Sequence, residues 1–121
     1  MSNKKTLVLG ASTNPERYSY RAILSLLSHG HEVCAVGLRD GKIGECVIVK
    51  EQLTFEDVDT ITVYVNPDNQ KVYFDYILRI NPKRVILNPG TENPELEKKL
   101  TANNIPFEHA CTLVLLASNQ Y

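Results

Sequence analysis

The segment Thr6-Leu7-Val8-Leu9-Gly10-Ala11-Ser12-Thr13-Asn14-Pro15-Glu16-Arg17-Tyr18-Ser19 decides how the rest of the chain is read. Its first four residues are a short apolar run closed by Gly10, the pattern of a buried strand. A polar loop runs from Ala11 to Tyr18. Ser19 then offers an N-cap for a helix extending to His29, with Ile23, Leu26 and Leu27 on one face. Gly30 suits the left-handed position that ends such a helix, and Val33-Cys34-Ala35-Val36 reads as the second strand.

Downstream, the same alternation repeats. Cys46-Val47-Ile48-Val49 reads as a third strand, although only Gly37 to Glu45 separates it from the second. A parallel crossover ordinarily needs a dozen or more residues. Asp40-Gly41 is also a good hairpin turn, so parallel and antiparallel placements both stand at this point. Ile61-Thr62-Val63-Tyr64-Val65 is rich in β-branched and aromatic residues and reads as a central strand. Asn66 caps the next helix with Pro67 at its first position, and Val72, Tyr73, Tyr76, Ile77 and Ile80 give it a core face. Arg84-Val85-Ile86-Leu87 is a further strand. Asn93-Pro94 starts a helix to about Asn103, whose Glu95 and Glu97 precede Lys98 and Lys99 as the helix dipole prefers. Ile105 to Glu108 reads as a last short strand, and Thr112 to Ser118 as a short terminal helix.

The 121 residues carry 13 Lys+Arg against 14 Asp+Glu, a net charge of −1. That balance excludes a general nucleic-acid or anionic-membrane surface while permitting a small basic site. The apolar run after the lysine pair Lys4-Lys5 is too short for a signal peptide, and no stretch approaches the ~18 apolar residues of a membrane span. Three cysteines, Cys34, Cys46 and Cys111, are odd in number and widely spaced, so a disulfide framework is not expected and a reducing cytoplasm is. No repeat or linker divides the chain, and one domain over residues 1–121 is expected.

Alternating strands and helices imply βαβ units, a mainly parallel sheet, and ligands bound where loops leave the carboxyl ends of the strands. Those loops are 10–19, 36–44, 66–69 and 88–93. The first has the composition of a phosphate cradle: Gly10 for a tight turn, hydroxyls from Ser12, Thr13 and Ser19, a helix N-terminus, and the fork of Arg17. It is neither GxGxxG nor a Walker loop. After the second strand the chain reads Val36-Gly37-Leu38-Arg39, with Asp40 one residue beyond. An NAD site usually presents an acidic side chain there, whereas Arg39 suits a ribose phosphate, the 2′-phosphate of NADP or the 3′-phosphate of CoA. Pro67 offers an apolar edge, Gly90 close backbone approach, and Asn88 and Thr91 hydrogen-bond donors.

Catalytic constellations are thin. His109 and Cys111, two apart, share a face in extended backbone and invite a Cys–His nucleophile reading, but a small buried thiol is the commoner use of such a cysteine. His29-Gly30-His31 lacks further ligands at metal spacing, and Ser12 has no evident base.

Several of these segments together resemble the small stand-alone CoA-binding domain proteins, which share their fold with the CoA-binding domain of the succinyl-CoA synthetase alpha subunit. The segments are the opening strand with Gly10-Ala11-Ser12, the run Asn14-Pro15-Glu16-Arg17-Tyr18-Ser19-Tyr20-Arg21, and Gly30-His31-Glu32-Val33. Gly44-Glu45, Asn66-Pro67-Asp68 and Cys111 extend the resemblance over nearly the whole chain. It implies an α/β fold: a Rossmann-like, doubly wound, mainly parallel five-stranded sheet with helices on both faces, the third strand parallel. It also implies coenzyme A as cofactor, its phosphates held by Gly10, Ala11, Ser12, Arg17 and Ser19, with Val36 and Asn66-Pro67 flanking the remainder. The candidate binding set then comprises those residues with Asn14 and Tyr18, with Gly37 and Arg39, and with Asn88, Gly90 and Thr91. Where relatives commonly carry Asn-Pro after the second strand, this chain has Gly37-Leu38-Arg39, and its loop 88–93 is more polar than theirs.

The expected function is a coenzyme A or acyl-CoA binding module without catalytic activity of its own. The related synthetases use further domains and a phosphorylated histidine that a chain of this length has no room to supply. An NADP-binding redox or sensor domain, and an interaction protein with a decayed nucleotide site, are the other readings. Oligomerisation or a protein partner is compatible with the apolar stretch Leu113-Val114-Leu115-Leu116, which equally serves a core.

Overall fold

β1 (Thr6–Ala11) sends its side chains alternately into two buried layers, Leu7 and Leu9 into one and Val8 and Ala11 into the other. That alternation identifies it as a strand inside a sheet covered on both faces. The computed structural model describes residues 3–121, and within them a mostly parallel sheet of seven strands has β1 near its centre.

The chain continues through α1 (Tyr18–Ser28), β2 (Val33–Gly37), β3 (Gly41–Ile43), β4 (Cys46–Val49) and β5 (Thr60–Val63). Two 3₁₀ turns, Pro67–Asn69 and Lys71–Tyr73, lead into α2 (Phe74–Ile80), followed by β6 (Arg84–Leu87), α3 (Pro94–Ala102), β7 (Phe107–His109) and α4 (Thr112–Ala117). The spatial order is β3-β4-β2-β1-β5-β6-β7. Every pairing is parallel except that of β3 with β4. The direction of winding reverses between β1 and β5, which pair in register Leu7 to Ile61 and Leu9 to Val63. Ligands of open α/β sheets bind at this switch.

α1 and α4 cover one face, with Ile23, Leu26 and Leu116 packed on Val8, Ala35 and Ile48. α2, α3 and Ile105 cover the other, where Tyr76, Ile77, Leu96 and Leu100 pack on Leu7, Leu9, Ile61 and Leu87. Tyr73 and Tyr76 are buried, and the Tyr76 hydroxyl donates to the Leu53 carbonyl at 2.5 Å. The three cysteines are free, and Cys34 and Cys46 face opposite layers although their strands are neighbours. In α4, Leu116 is fully covered and Val114 alone of the Leu113–Leu116 stretch is exposed.

Several expectations are corrected by the fold. The sheet has seven strands rather than five, because β7 forms at the expected last strand and β3 is added at the opposite edge. Of the two placements considered for Cys46–Val49, the parallel one against β2 is realised, and the antiparallel pairing of β4 is with β3 instead. The return leg between the two parallel strands is itself a strand, so no crossover helix is needed. Its two-residue turn is Gly44-Glu45, with Gly44 at φ 56, not Asp40-Gly41. Ser19 is not the cap of α1; Arg17 is, and Ser19 heads the buried stripe Ser19, Ala22, Ile23, Leu26. The helix expected after Asn66 begins as 3₁₀ turns, whose three-residue period leaves Val72 71% exposed rather than in the core.

Candidate functional site

The loops that leave the carboxyl ends of β1, β2, β5 and β6 form one continuous rim. Gly10, at φ 92, packs so closely on β5 that a Cβ would stand 2.9 Å from the Tyr64 carbonyl carbon and 3.0 Å from the Val65 Cγ2. Its glycine character thus serves the joint between β1 and β5 at the switch. Gly37 meets the first loop in the same manner, with the Ala11 carbonyl oxygen 2.2 Å from where its Cβ would be, and Gly41 faces the Thr13 methyl at 2.6 Å. The β2–β3 turn is therefore seated directly on the β1–α1 loop.

That first loop is shaped by its own polar side chains. Ser12 Oγ accepts the Asn14 N–H at 3.1 Å, Asn14 Oδ1 accepts the Glu16 N–H at 3.0 Å, and the Arg17 N–H returns to the Asn14 carbonyl at 3.0 Å. These bonds deliver the chain to α1 at Arg17, an N-cap whose side chain caps nothing, and no acidic residue lies in the first helical turn. The first N–H groups, those of Tyr18 and Ser19, are left without a side-chain acceptor. Arg17 and Tyr18 are exposed, and the Arg21 guanidinium lies 5.5 Å from the centre of the Tyr18 ring. By contrast, α3 is capped by the Asn93 side chain on the Glu95 N–H, and Glu97 returns to the Asn93 N–H. An uncapped N-terminus with Arg17 and Arg21 close by and no acidic residue in its first turn has the composition of an anion site.

At the end of β2, Val36 and Gly37 are buried, while Leu38 is 87% exposed and Arg39 is exposed beside it. Asp40 accepts the Lys50 N–H on its side-chain oxygen at 3.0 Å. Beyond β5, Asn66 caps the first 3₁₀ turn through the Asn69 N–H, with Pro67 half-buried. Asn88 and Thr91 are buried and committed to the protein. The Asn88 amide donates to Thr62 Oγ1 at 2.7 Å and to the Val63 carbonyl at 2.9 Å, and its oxygen accepts the Thr112 N–H at 2.9 Å. Thr91 Oγ1 donates to the Asn88 carbonyl, and Gln70 ties the loop to β5 by donating to the Val65 and Thr91 carbonyls. Gly90, at φ 90, is exposed, and its N–H is taken by Glu92 at 2.8 Å. These last three residues frame the rim rather than offering side-chain donors to it.

Sequence reasoning passed over Tyr64, which follows β5 on the α1 and α4 side. Its hydroxyl is buried with no partner in hydrogen-bonding geometry, and burial pushes the phenol up to about 12, with Thr112 pulling the other way. The strand pattern gave no sign of this, because the nearby hydroxyls of Thr62 and Thr112 are joined to each other at 2.8 Å across fifty residues of sequence. His109 Nε2 lies 3.2 Å from Glu97 Oε2 and is not paired with Cys111, which stands at the N-cap position of α4 without a side-chain capping bond. His29 and His31 bond the Ser25 carbonyl and the Lys4 N–H. No metal-holding group of His, Cys, Asp or Glu occurs among the described residues. Two shallow depressions lie by α3 and β7, against Phe107 and Thr101, three strands along from β1.

A family profile described as CoA binding domain matches residues 4–117. An uncharacterized protein known from a crystal structure is 47% identical, with 100% of both chains covered and a TM-score of 0.96. The protein cell-free ID.343 from Thermus thermophilus superposes with a TM-score of 0.85 at 24% identity, over 98% of this chain and 91% of that one. Dinucleotide-forming acetyl-coenzyme A synthetase 1 from Ca. Korarchaeum cryptofilum, solved with phosphate and ADP, superposes with a TM-score of 0.74 at 17% identity. That match covers 88% of this chain and 25% of the synthetase. The last two show a shared fold alone. No curated protein matches the sequence. Among the described residues, no helix is long and apolar enough to cross a membrane.

Proposed function

Because the chain belongs to the CoA binding domain family, we propose that it is a binding module for coenzyme A or an acyl-CoA, without catalytic activity of its own. The observation that carries this reading is the open N-terminus of α1 at the switch between β1 and β5, without a side-chain cap, with no acidic residue in its first turn and with Arg17 at its N-cap. This donor set fits the diphosphate of the coenzyme, which carries negative charge at any physiological pH.

In this reading the N–H groups of Tyr18 and Ser19 and the fork of Arg17 hold the phosphates. Ser12 and Asn14 keep the loop in the conformation that presents them. Gly10 and Ala11 seat the loop on its neighbours, and Val36, Gly37, Asn66 and Pro67 border the remainder of the nucleotide. Asn88, Gly90 and Thr91 hold the far wall. Bound coenzyme A supplies a thiol that carries acyl groups as thioesters; the module holds and presents it.

Isothermal titration with CoA, acetyl-CoA, NADP and NAD at one salt concentration tests the proposal. Saturable micromolar binding of CoA and acetyl-CoA, with none of NAD, is the expected result. No heat and no thermal shift with any of the four overturns it, and tighter binding of NADP than of CoA replaces it with a redox or sensor domain.

A further inference from the structure

We propose that residues 118–121 are an acid-opened clasp for α4: Tyr121 is fastened to the amino edge of the sheet through Lys4, and protonation of His31 undoes the fastening. After α4 the chain runs through Ser118, Asn119 and Gln120, all exposed, with Asn119 at φ 59. It returns to the sheet at Tyr121, whose side chain packs on the buried layer that holds Val8 and Leu116.

The bonds at Tyr121 run to the amino ends of β1 and β6. Its hydroxyl donates to Thr6 Oγ1 at 2.6 Å, because the Thr6 hydroxyl gives its own hydrogen to the Lys4 carbonyl at 2.8 Å. The Lys4 ammonium donates to the Tyr121 carbonyl, as does Arg84 Nη1 at 3.3 Å, and both cations also flank the Tyr121 ring. Lys4 therefore meets Tyr121 twice, through its own side chain and through Thr6. Its backbone N–H is fixed in turn by His31 Nδ1 at 2.9 Å. A protonated ring carries hydrogens on both nitrogens, so Nδ1 becomes a second donor facing the Lys4 N–H and the bond is lost.

The charges around His31 make that event disruptive. Lys4, Arg84 and, once protonated, His29 bring positive charge to it, against the opposing carboxylate of Asp59, which accepts from the Thr60 hydroxyl at 2.7 Å. Glu32, next in sequence, turns to Lys5 at 3.7 Å, and Glu108 to Arg84 at 3.9 Å. With His31 charged, the Tyr121 ring, 5.0 Å from it, stands among three cations. The clasp is closed above the ordinary histidine range and opens as pH falls below it. The opening is local, since the ladder pairings of β1 begin at Thr6 and do not use Lys4. α4 is then left hinged at its other end, where the Thr112 N–H is held by Asn88 on the rim.

Amide hydrogen exchange, corrected for the intrinsic rate at each pH, tests the clasp at pH 7.5 and pH 5 in the protein, in His31→Gln and in Tyr121→Ala. Protection of the Leu115, Ser118 and Gln120 amides, which bond within α4 and its exit, is expected to fall severalfold at the lower pH relative to that of Leu9 and Val63. His31→Gln, whose amide oxygen still accepts the Lys4 N–H, is expected to keep its protection at both pH values. Tyr121→Ala is expected to show low protection at both. Equal protection at the two pH values in the unmodified protein overturns the clasp, and so does a fall shared in full by Leu9 and Val63. A fall that persists in His31→Gln overturns the role of His31, and full protection in Tyr121→Ala overturns that of Tyr121.

Discussion

The amide N–H of Thr112, the first residue of α4, donates to the side-chain oxygen of Asn88 at the end of β6 across 2.9 Å. Through this bond the terminal helix is fastened to the carboxyl edge of the sheet, beside the switch. Asn88 simultaneously donates to Thr62 Oγ1 and the Val63 carbonyl, so its small amide joins β5, β6 and α4.

Asn88→Ala would remove a hydrogen bond from the Thr112 N–H, the Val63 carbonyl and Thr62 Oγ1, of which Thr62 Oγ1 keeps its bond to Thr112 Oγ1. The expected loss is about 2–4 kcal/mol of unfolding free energy, since each orphaned group carries a desolvation cost. Urea denaturation reads this directly. Asn88→Asp is expected to be no better, because a carboxylate cannot donate to the Val63 carbonyl. A loss below about 0.5 kcal/mol in Asn88→Ala would show that the residue is not the joint described.

Gly10 and Gly30 separate two reasons for glycine. Both have positive φ, 92 and 82, but a Cβ on Gly10 would strike β5 whereas one on Gly30 meets nothing within 4 Å. Gly30→Ala is expected to lose about 1 kcal/mol from backbone strain alone. Gly10→Ala adds overpacking and is expected to lose about 3 kcal/mol. Similar thermal unfolding of the two variants would mean that β5 yields to the added methyl, and the joint at the switch is softer than its geometry implies.

Arg17 is exposed and its side chain caps nothing, so Arg17→Ala is expected to leave stability unchanged within about 0.5 kcal/mol. Its CoA affinity is expected to fall about tenfold to a hundredfold at low salt, and by less as salt rises. Calorimetric titration at two ionic strengths checks both statements. An affinity that does not change would detach Arg17 from the phosphates and leave the helix N-terminus to hold them alone.

The features legible in the sequence were those with local causes. The end of α1 was readable from Gly30 because the motif lies within a few residues: Gly30 N–H bonds the Leu27 carbonyl and His31 N–H the Leu26 carbonyl. Asn93-Pro94 was readable as a helix start for the same reason. β3 was not, since Gly41-Lys42-Ile43 carries no alternation and becomes a strand only by lying against β4. The rim's composition was visible in the four loops, but not the division of labour within it. That Asn88 and Thr91 turn inward depends on Thr62, Thr112 and Gln70, all more than twenty residues away along the chain from at least one of them. Tyr64 was hidden in the same way, its orphaned hydroxyl being a product of a pair formed by two other residues.

His31 makes stability depend on pH at the opposite edge of the sheet. Its Nδ1 accepts the Lys4 N–H at 2.9 Å, so the bond requires the neutral ring. Burial is the main reason its pKa is lowered from 6.5, followed by the positive charges of His29 and Lys4; Asp59 opposes them weakly and Arg84 adds to them. The Tyr121 ring, 5.0 Å away, is already flanked by Arg84 at 4.7 Å and Lys4 at 5.7 Å, leaving little to welcome another cation. With the folded pKa below the unfolded one, the unfolded chain takes up the proton first as pH falls. The contribution of His31 is therefore complete above about pH 6.5, and is lost progressively below it until the folded pKa has been passed. Urea midpoints measured from pH 7.5 down to pH 5 are expected to fall for the unmodified protein. The part of that slope due to His31 should vanish in His31→Gln, whose amide oxygen can accept the same N–H without titrating. An identical slope in the variant would place the acid sensitivity elsewhere in the molecule.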